Sequence, residues 1–213
     1  FLFSLARTGR QSVGRFTDPT IRVEAEATEV LGQRKLLKWF VPGIAHVFAQ
    51  SGFNVQLFDI SEAALDRALL TIGKNMDRQV AKERISESDK NMALERLSTG
   101  TDLAKSVSHA DLIVEAATEN KEIKFNLFKQ LDELAPAHCI LSSNTSSISI
   151  TKIAAQTNRP DKVIGMHFMN PVPVMKLVEI IRGYSTSDDT MNAVVEMSTS
   201  LGKVPVACND YPG

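Results

Sequence analysis

The sequence has few of the features that identify membrane, nucleic-acid-binding or disulfide-rich proteins. Of its 213 residues, 24 are Lys or Arg and 25 are Asp or Glu, so the net charge is −1, and these charges form no basic run and no acidic tail. Neither nucleic acid nor an anionic membrane is therefore implied as a partner. No apolar stretch approaches the roughly 20 residues that span a bilayer. We expect a soluble protein.

Cysteine is also scarce. The two cysteines, Cys139 and Cys208, lie far apart and have no metal-ligand spacing, which predicts a reducing compartment and no metal site. Both lie in apolar, strand-like contexts, and we interpret them as packing residues. A chain of 213 residues is long enough for one domain with a sizeable core and for part of a second.

Residues 1–42 show no sustained periodicity, repeat or motif, and they remain unassigned. Their arginines would suit a targeting peptide, but acids such as Asp18 and Glu24 oppose that interpretation. The chain begins at Phe1 rather than Met and ends at Gly213 in a turn signal. We therefore expect a fragment at both ends.

Strand and helix patterns alternate from Gly43 onwards. The first predicted elements are a helix that begins near Ile44, a strand at 53–60 that ends in Asp59, and a helix capped by Ser61. A second helix, from Ser86 to Leu97, opens with a capping-box-like pair and completes a hairpin over about 62–97. The apolar run at 112–116 is typical of a strand buried on both faces, and it is followed by a helix with Ile123, Leu127, Leu131 and Leu134 on its core face. The remaining elements are a strand at 139–141, a helix over about 150–155, paired strands that carry His167 and Glu179, a helix over about 188–201 and a strand at 204–208. This alternation predicts a doubly wound α/β fold with a mostly parallel sheet, in which ligands bind at the carboxyl ends of the strands.

The stretch at 165–183 holds the two residues best suited to catalysis. With period-two alternation, Leu177, Glu179 and Ile181 share one strand face, which predicts a carboxylate in apolar surroundings that needs a partner. His167 ends a neighbouring apolar run, so the pair would be a general base and the residue that orients it. The alternative is a hydrogen-bonded core histidine and a glutamate paired with a nearby lysine.

The motif His-Phe-x-Asn-Pro-Val-x-x-Met-x-Leu-Val-Glu at 167–179, preceded by Ser-Asn-Thr-Ser-Ser at 143–147, closely resembles the 3-hydroxyacyl-CoA dehydrogenases, including the bacterial 3-hydroxybutyryl-CoA dehydrogenases. The similarity extends over about 43–213. It implies a Rossmann-like NAD-binding domain and an NAD-dependent oxidation of (3S)-3-hydroxyacyl-CoA to 3-ketoacyl-CoA, or the reverse. The family's helical C-terminal domain, which forms a homodimer, would be absent from this chain.

The resemblance implies roles for particular residues. His167 would be the general base, Glu179 would orient it, and Ser146 would position the substrate oxygen and touch the nicotinamide. Further implied contacts to NAD are Asp59, Glu119, Lys124 and Asn170, and implied contacts to CoA are Lys82 and Asn75.

Without the resemblance, Glu119 and Lys124 would be an ordinary solvated helix start, and Ser146 would be turn chemistry. The position of Asp59 indicates the same role without the resemblance, because an acid at the end of the second strand of a dinucleotide fold binds the adenosine ribose 2′-hydroxyl and favours NAD over NADP. The alternative role for Asp59 is structural, as a bridge between the strand and the Ser61 cap.

The largest departure from the family lies just before Gly43. The resemblance predicts a glycine-rich turn here, but the sequence has Lys-Leu-Leu-Lys-Trp-Phe-Val-Pro at 35–42. Its bulky side chains would occupy the pyrophosphate position, and Pro42 removes a backbone donor. An out-of-frame segment that ends near Gly43 explains this better than a diverged cofactor site.

We expect the 213-residue chain by itself to be inactive. Two other interpretations remain open, a sugar-acid dehydrogenase of the same superfamily and a non-catalytic pseudoenzyme that has lost the glycine loop. The resemblance implies a cytoplasmic location for a bacterial protein and the mitochondrial matrix for a eukaryotic one.

Overall fold

A computed structural model of the chain describes residues 2–5 and 34–211. The elements are, in order, β1 (Leu2–Leu5), α1 (Arg34–Gln50), β2 (Val55–Phe58), α2 (Glu62–Val80), α3 (Glu87–Glu95), β3 (Leu97–Gly100), α4 (Leu103–Val107), β4 (Leu112–Glu115), α5 (Lys121–Leu134), β5 (Ile140–Ser143), α6 (Ile150–Ala154), a 3₁₀ turn (Pro160–Lys162), β6 (Val163–Phe168), β7 (Leu177–Arg182), α7 (Asp188–Ser200) and β8 (Val204–Asn209). In this part of the chain, no helix combines the length and the apolar character that a membrane span requires.

The strands form one sheet in the order β3-β2-β1-β4-β5-β6-β7-β8. Pairing is parallel between β2 and β3, β4 and β5, β5 and β6, and β7 and β8. It is antiparallel where β7 meets β6 and on both sides of β1. The first six strands therefore follow the 3-2-1-4-5-6 order of a dinucleotide-binding fold. The predicted doubly wound, mostly parallel sheet is confirmed.

Two apolar clusters lie on the two faces of this sheet. One is built from α1, α2 and α7 with side chains such as Ile44, Ile72 and Val194, and the other from α5 and α6 with side chains such as Phe128 and Ile153. Because neighbouring side chains of a strand point to opposite faces, β4 contributes to both clusters and is buried along its whole length. The sheet is thus covered by helices on both sides.

The predicted helical hairpin is present as α2 and α3, and α1 packs against both helices. Ser86 caps α3 in a capping box with Asp89, as the sequence predicts. Ser61 lies at the N-cap of α2, but its side chain makes no capping hydrogen bond. Its amide instead donates to Asp59 Oδ1 at 2.8 Å, because Asp59 is close enough to accept it.

Helix α1 corrects the expectation that order begins at Gly43. It begins at Arg34 and continues through Pro42, since the Arg, Lys and Leu residues of this segment favour a helix. One backbone hydrogen bond is lost at Pro42, but Val41 and Ile44 are fully buried and offset that loss. The helix also comes close to the connection between β6 and β7, because a Cβ at Gly43 would lie 2.9 Å from Val172 Cβ.

Strand β1 lies between β2 and β4 in the sheet but runs in the opposite direction to both. Its pairs are Leu2 with Phe58 and Leu5 with Leu112, so its carboxyl end lies beside the amino end of β4. The carboxyl end of β1 is therefore on the opposite side of the sheet from the carboxyl ends of β2 and β4.

Two further details differ from the sequence prediction. Strand β3 was not predicted, because its Leu-Ser-Thr-Gly sequence at an exposed edge of the sheet has no apolar run. The buried face of α5 includes Lys124 and Phe128, whereas Leu134 is 38% exposed. The buried face of α5 therefore keeps Leu127 and Leu131 of the predicted face and adds Phe128, which packs in the core, and Lys124, which pairs with Glu115.

Candidate active site

Three side chains meet where β5, β6 and β7 lie side by side. His167 and Glu179 are direct partners in the antiparallel β6–β7 pair. The distance from His167 Nδ1 to Glu179 Oε2 is 2.8 Å, and the distance from His167 Nε2 to Ser146 Oγ is 3.0 Å. The structure therefore brings the three predicted catalytic residues into one continuous chain of hydrogen bonds.

The expected burial of Glu179 is wrong. Its strand alternates between buried Val178 and Ile180 on one face and half-buried Leu177, Glu179 and Ile181 on the other. The Glu179 side chain is 37% exposed, against 16% for His167. The carboxylate lies on the more open face of β7, so its partner is set by strand register rather than by desolvation.

The loop that carries Ser146 is held from outside by Glu119. One carboxylate oxygen of Glu119 accepts from the Ser146 amide at 3.0 Å, and the other accepts from Thr145 Oγ1 at 2.7 Å and Ser147 Oγ at 3.1 Å. Glu119 is half-buried. It is thus not the solvated side chain of an ordinary helix start, and the contact to NAD implied for it stays a prediction.

A buried ion pair lies beneath the same loop. Glu115 and Lys124 are 0% and 1% exposed, and the Lys124 ammonium contacts Glu115 Oε2. That oxygen also accepts from Ser143 Oγ at 2.7 Å, while Oε1 accepts from the Ala117 amide at 2.7 Å. Burial acts to raise the pKa of the Glu115 carboxyl, but Lys124 and these hydrogen bonds outweigh it and hold the pKa below its usual value.

Lys124 is not the solvated residue that a helix start alone would suggest. Its ammonium contacts Glu115 and Ser143 in the interior, and the contact to NAD implied for it stays a prediction. Glu115 was missed because it belongs to the apolar run at 112–116. A signal was available, since a charged residue in a strand buried on both faces requires a partner, and a lysine follows on the next helix.

Asn144 connects the loop to β6 directly beside the histidine. Its amide donates to the Glu115 carbonyl at 2.7 Å, and its Oδ1 accepts from the Phe168 amide at 2.7 Å. Asn170 is exposed and precedes Pro171 across a cis peptide bond. The implied contact between Asn170 and NAD stays a prediction.

Asp59 lies at the carboxyl end of β2 and is fully buried. Its Oδ1 accepts from the Ser61 amide, and within the described part of the chain its Oδ2 has no hydrogen-bond partner. Burial raises the pKa of the Asp59 carboxyl, and the Ser61 amide opposes this rise. An unsatisfied carboxylate oxygen at this strand end fits a ribose hydroxyl donor.

The pyrophosphate position does not fit in the same way. Residues 35–42 lie inside α1, so the helix has no N-terminus at Gly43. The carboxyl end of β1 lies beside the amino end of β4, away from the carboxyl strand ends where a dinucleotide would bind. A strand, a tight glycine turn and a helix N-terminus are therefore not combined in the described residues, although this combination supplies the backbone amides that bind a dinucleotide's phosphates.

The implied CoA contacts lie on the helical hairpin. Asn75 is half-buried on α2, and Arg78 Nη1 donates to its Oδ1 at 3.4 Å. Lys82 is exposed in the turn that follows α2. The structure therefore puts Lys82 within reach of an external ligand, and both contacts stay predictions.

A cavity of about 610 Å³ lies at the amino ends of β4, β5 and β6. It is lined by residues that precede these strands, such as Asp111, His138 and Lys162. His138 Nε2 is 2.9 Å from Asp111 Oδ1. Because His167 is near the carboxyl end of β6, this cavity is separate from the candidate active site. Across 2–5 and 34–211, no three His, Cys, Asp or Glu side chains are grouped to hold a metal ion.

These features together define the class of protein. The sheet has the dinucleotide-binding strand order, a buried acid follows β2, and a histidine–glutamate pair lies on β6 and β7. They are the features of a nucleotide-dependent dehydrogenase domain. The family model described as "3-hydroxyacyl-CoA dehydrogenase, NAD binding domain" matches residues 41–211. The chain belongs to this family, as its motifs predicted, and the family's cofactor is NAD.

Curated relatives agree with this family. The chain is 46% identical over 171 residues to a probable 3-hydroxybutyryl-CoA dehydrogenase of Bacillus subtilis, covering 80% of this chain and 59% of the relative. It is 45% identical over 177 residues to the mitochondrial hydroxyacyl-coenzyme A dehydrogenase of Homo sapiens, covering 80% and 56%. The chain therefore spans somewhat more than half the length of these relatives.

The fold is similar to that of a solved enzyme of the same kind. The crystal structure of (S)-3-hydroxybutyryl-CoA dehydrogenase from Ralstonia eutropha superposes with a TM-score of 0.83 and 42% identity. The superposition covers 92% of this chain and 65% of that one.

Proposed function

We propose that this site serves the NAD-dependent oxidation of (3S)-3-hydroxyacyl-CoA, such as 3-hydroxybutyryl-CoA, to the 3-ketoacyl-CoA, or the reverse reaction. The observation that carries the proposal is the hydrogen-bonded series from Ser146 through His167 to Glu179. The names of the relatives support the same reaction.

Each member of the series has a distinct task. The Nδ1–H of His167 donates to Glu179, so Nε2 carries the lone pair that accepts from the Ser146 hydroxyl in the structure and would accept the proton of the substrate's 3-hydroxyl group. The negative charge of Glu179 then stabilises the imidazolium that forms. When substrate binds, the exposed Ser146 hydroxyl would turn from Nε2 to donate to the substrate oxygen and keep it near Nε2. Bound NAD supplies the hydride acceptor.

The remaining contacts belong to the same proposal. Asp59 would accept from the adenosine ribose, and Glu119 and Asn170 would border the cofactor near the Ser146 loop. Lys82 would attract the phosphates of CoA, and Asn75 would lie beside it on the hairpin. A homodimer through a second domain, and a cytoplasmic or mitochondrial-matrix location, complete the proposal by analogy with the family.

We propose further that the 213-residue chain by itself has no measurable activity, since residues 35–42 do not form a phosphate-binding turn. A chimera tests the function separately from this defect. Residues 43–211 replace the corresponding segment of the Bacillus subtilis relative, which supplies the remainder of the protein, so that none of residues 35–42 is carried over.

Acetoacetyl-CoA and NADH are supplied, and NADH consumption is followed. The expected result is turnover by the chimera and none by the chain. A folded chimera that binds NADH and does not reduce acetoacetyl-CoA would overturn the proposed reaction. Activity on a sugar acid instead would favour the sugar-acid dehydrogenase, although the α2–α3 hairpin supports the acyl-CoA substrate.

A non-catalytic protein is the second candidate, and the reversed β1 is the observation that favours it. Resequencing the gene across residues 1–45 distinguishes the two candidates. A reading frame that encodes a glycine-rich turn before Gly43 supports the enzyme. An unchanged sequence supports a protein that has lost its phosphate-binding turn.

A further inference from the structure

We propose that Glu115 is a positioning residue for the loop that carries Ser146 and that it acts through Ser143. The inference rests on the proposed function, because the purpose of this loop is to hold Ser146 against His167. It concerns residues that lie beneath the reacting groups and touch neither substrate nor cofactor.

Glu115 reaches the loop at two consecutive residues. Its side chain accepts from Ser143 Oγ at 2.7 Å, and its main-chain carbonyl accepts from the Asn144 amide at 2.7 Å. Ser143 is the last residue of β5, so these contacts fix the point where the strand becomes the loop. The end of β5 is thereby tied to the end of β4.

The tie continues to the catalytic histidine. Asn144 Oδ1 accepts from the Phe168 amide at 2.7 Å, and Phe168 is the residue after His167. The main chain of residue 115 therefore reaches β6 through Asn144, and the hydrogen bond from Ser143 Oγ adds the Glu115 side chain to the same junction. Because Ser146 Oγ is 3.0 Å from His167 Nε2, a small shift of the loop relative to β6 would break the contact.

The ionic character of this support is informative. A buried ion pair stabilises a fold no more than well-packed apolar side chains of the same size would. It does impose directional contacts, and here Glu115 Oε2 accepts from both Lys124 and Ser143. Glu119 holds the same loop from the exposed side, so Ser146 is fixed from within and from without.

Two single substitutions on β5 form a matched test. Ser143→Ala removes the hydroxyl that joins Glu115 to the loop. Ser142→Ala removes the neighbouring hydroxyl, which donates to the Ile113 carbonyl at 2.8 Å and does not contact Glu115. Both serines are fully buried, so each substitution deletes one buried hydroxyl from the same strand.

The readouts use the 213-residue chain without cofactor. Amide hydrogen exchange is measured at Ser146 and Phe168, and the ¹⁵N chemical shift of His167 Nε2 is compared with that of Ser146→Ala. We expect Ser143→Ala to exchange at least about tenfold faster at both amides and to move the shift towards the Ser146→Ala value. Ser142→Ala should change neither.

A double variant removes both buried charges. Glu115→Gln with Lys124→Met keeps the side-chain volumes and should loosen the same two amides. If the double variant does not fold, Ser143→Ala decides alone. Unchanged exchange and an unchanged shift in folded Ser143→Ala would overturn the inference, and so would equal effects in Ser142→Ala.

The chimera separates this inference from the proposed function. There, Ser143→Ala should lower kcat about tenfold and leave KM for NADH unchanged, since it displaces Ser146 and not the cofactor. An inactive chimera together with the predicted exchange pattern would overturn the reaction and keep the positioning role. An active chimera together with unchanged amide exchange in Ser143→Ala would keep the reaction and overturn the positioning role.

Discussion

The imidazole of His167 lies 2.8 Å from the carboxylate of Glu179, and the two residues are direct partners across β6 and β7. Strand register alone therefore brings them together. A slip of one residue would turn one of the two side chains to the other face of the sheet. The contact between His167 and Glu179 therefore persists as long as β6 and β7 keep their register.

His167→Ala should remove the proton acceptor in the chimera, and Glu179→Gln should keep the shape while losing the charge that stabilises the imidazolium. We expect each to lower turnover by about 10²- to 10⁴-fold. Because the two act as one unit, the double variant should be little worse than the worse single variant. Steady-state rates with acetoacetyl-CoA and NADH measure this.

Ser146→Ala should have a smaller effect, because it removes a positioning hydrogen bond worth about 1 to 3 kcal/mol and leaves the proton acceptor in place. Unchanged thermal unfolding serves as the control for all these variants. If the His167→Ala chimera turned over at nearly the rate of the unsubstituted chimera, His167 would be a packing residue and not the proton acceptor.

The 213-residue chain should bind NADH far more weakly than the chimera does. The physical reason is that residues 35–42 are helical and present no row of amides to the pyrophosphate, although Asp59 is retained. Calorimetric titration of both proteins measures the difference. A micromolar dissociation constant for the chain would contradict this view of α1.

His46 should make folding stability depend on pH. Burial, with a smaller effect from Lys203, lowers the pKa of His46 to about 4, and a hydrogen bond to Gln50 opposes the shift. The unfolded chain, with a histidine pKa of 6.5, therefore takes up the proton first. Stability is complete above pH 6.5 and falls by about 3 kcal/mol as the pH drops to about 4.

Denaturant unfolding at several pH values between 6.5 and 4 tests this prediction. His46→Gln should flatten the pH dependence in this window, since it removes the titrating group. His109→Gln, which replaces an exposed histidine, should leave the dependence as it is. Equal slopes in the parent and His46→Gln would rule out His46 as the cause.

Asp210 should stabilise the junction between β8 and α6. It accepts from Ser149 Oγ at 2.7 Å and from the amides of Ile150 and Thr151 at 3.0 and 2.8 Å. Burial acts to raise the pKa of Asp210, but these hydrogen bonds outweigh it and hold the pKa below its usual value. Its contribution is therefore present above the unfolded-state pKa and is lost as the pH falls through the folded-state pKa.

Asp210→Asn should lower the free energy of unfolding at pH 7 by about 1 to 2 kcal/mol, since an amide accepts these bonds more weakly than a carboxylate. Chemical denaturation compares it with Asn209→Ala at the adjacent exposed position. A loss of the same size in both variants would assign the effect to the end of the strand rather than to the carboxylate.

Local patterns were sufficient for much of the fold. The capping box of α3, the buried strand β4 and the hairpin of α2 and α3 depend on residues a few positions apart, so the sequence predicted them. β3 was missed because an exposed edge strand has little apolar pattern. The start of α1 was missed because residues 1–42 show no sustained periodicity and the resemblance to the family begins only at Gly43.

The sequence by itself determined which residues are available for catalysis, because its motif names Ser146, His167 and Glu179 and identifies the family. Only the tertiary structure decided how they are held, since register and burial depend on strands and helices far apart in the chain. It placed Glu179 on an open face and drew Lys124 inside to pair with Glu115. A buried charge takes whichever partner the folded chain brings within reach, and no local pattern specifies that partner.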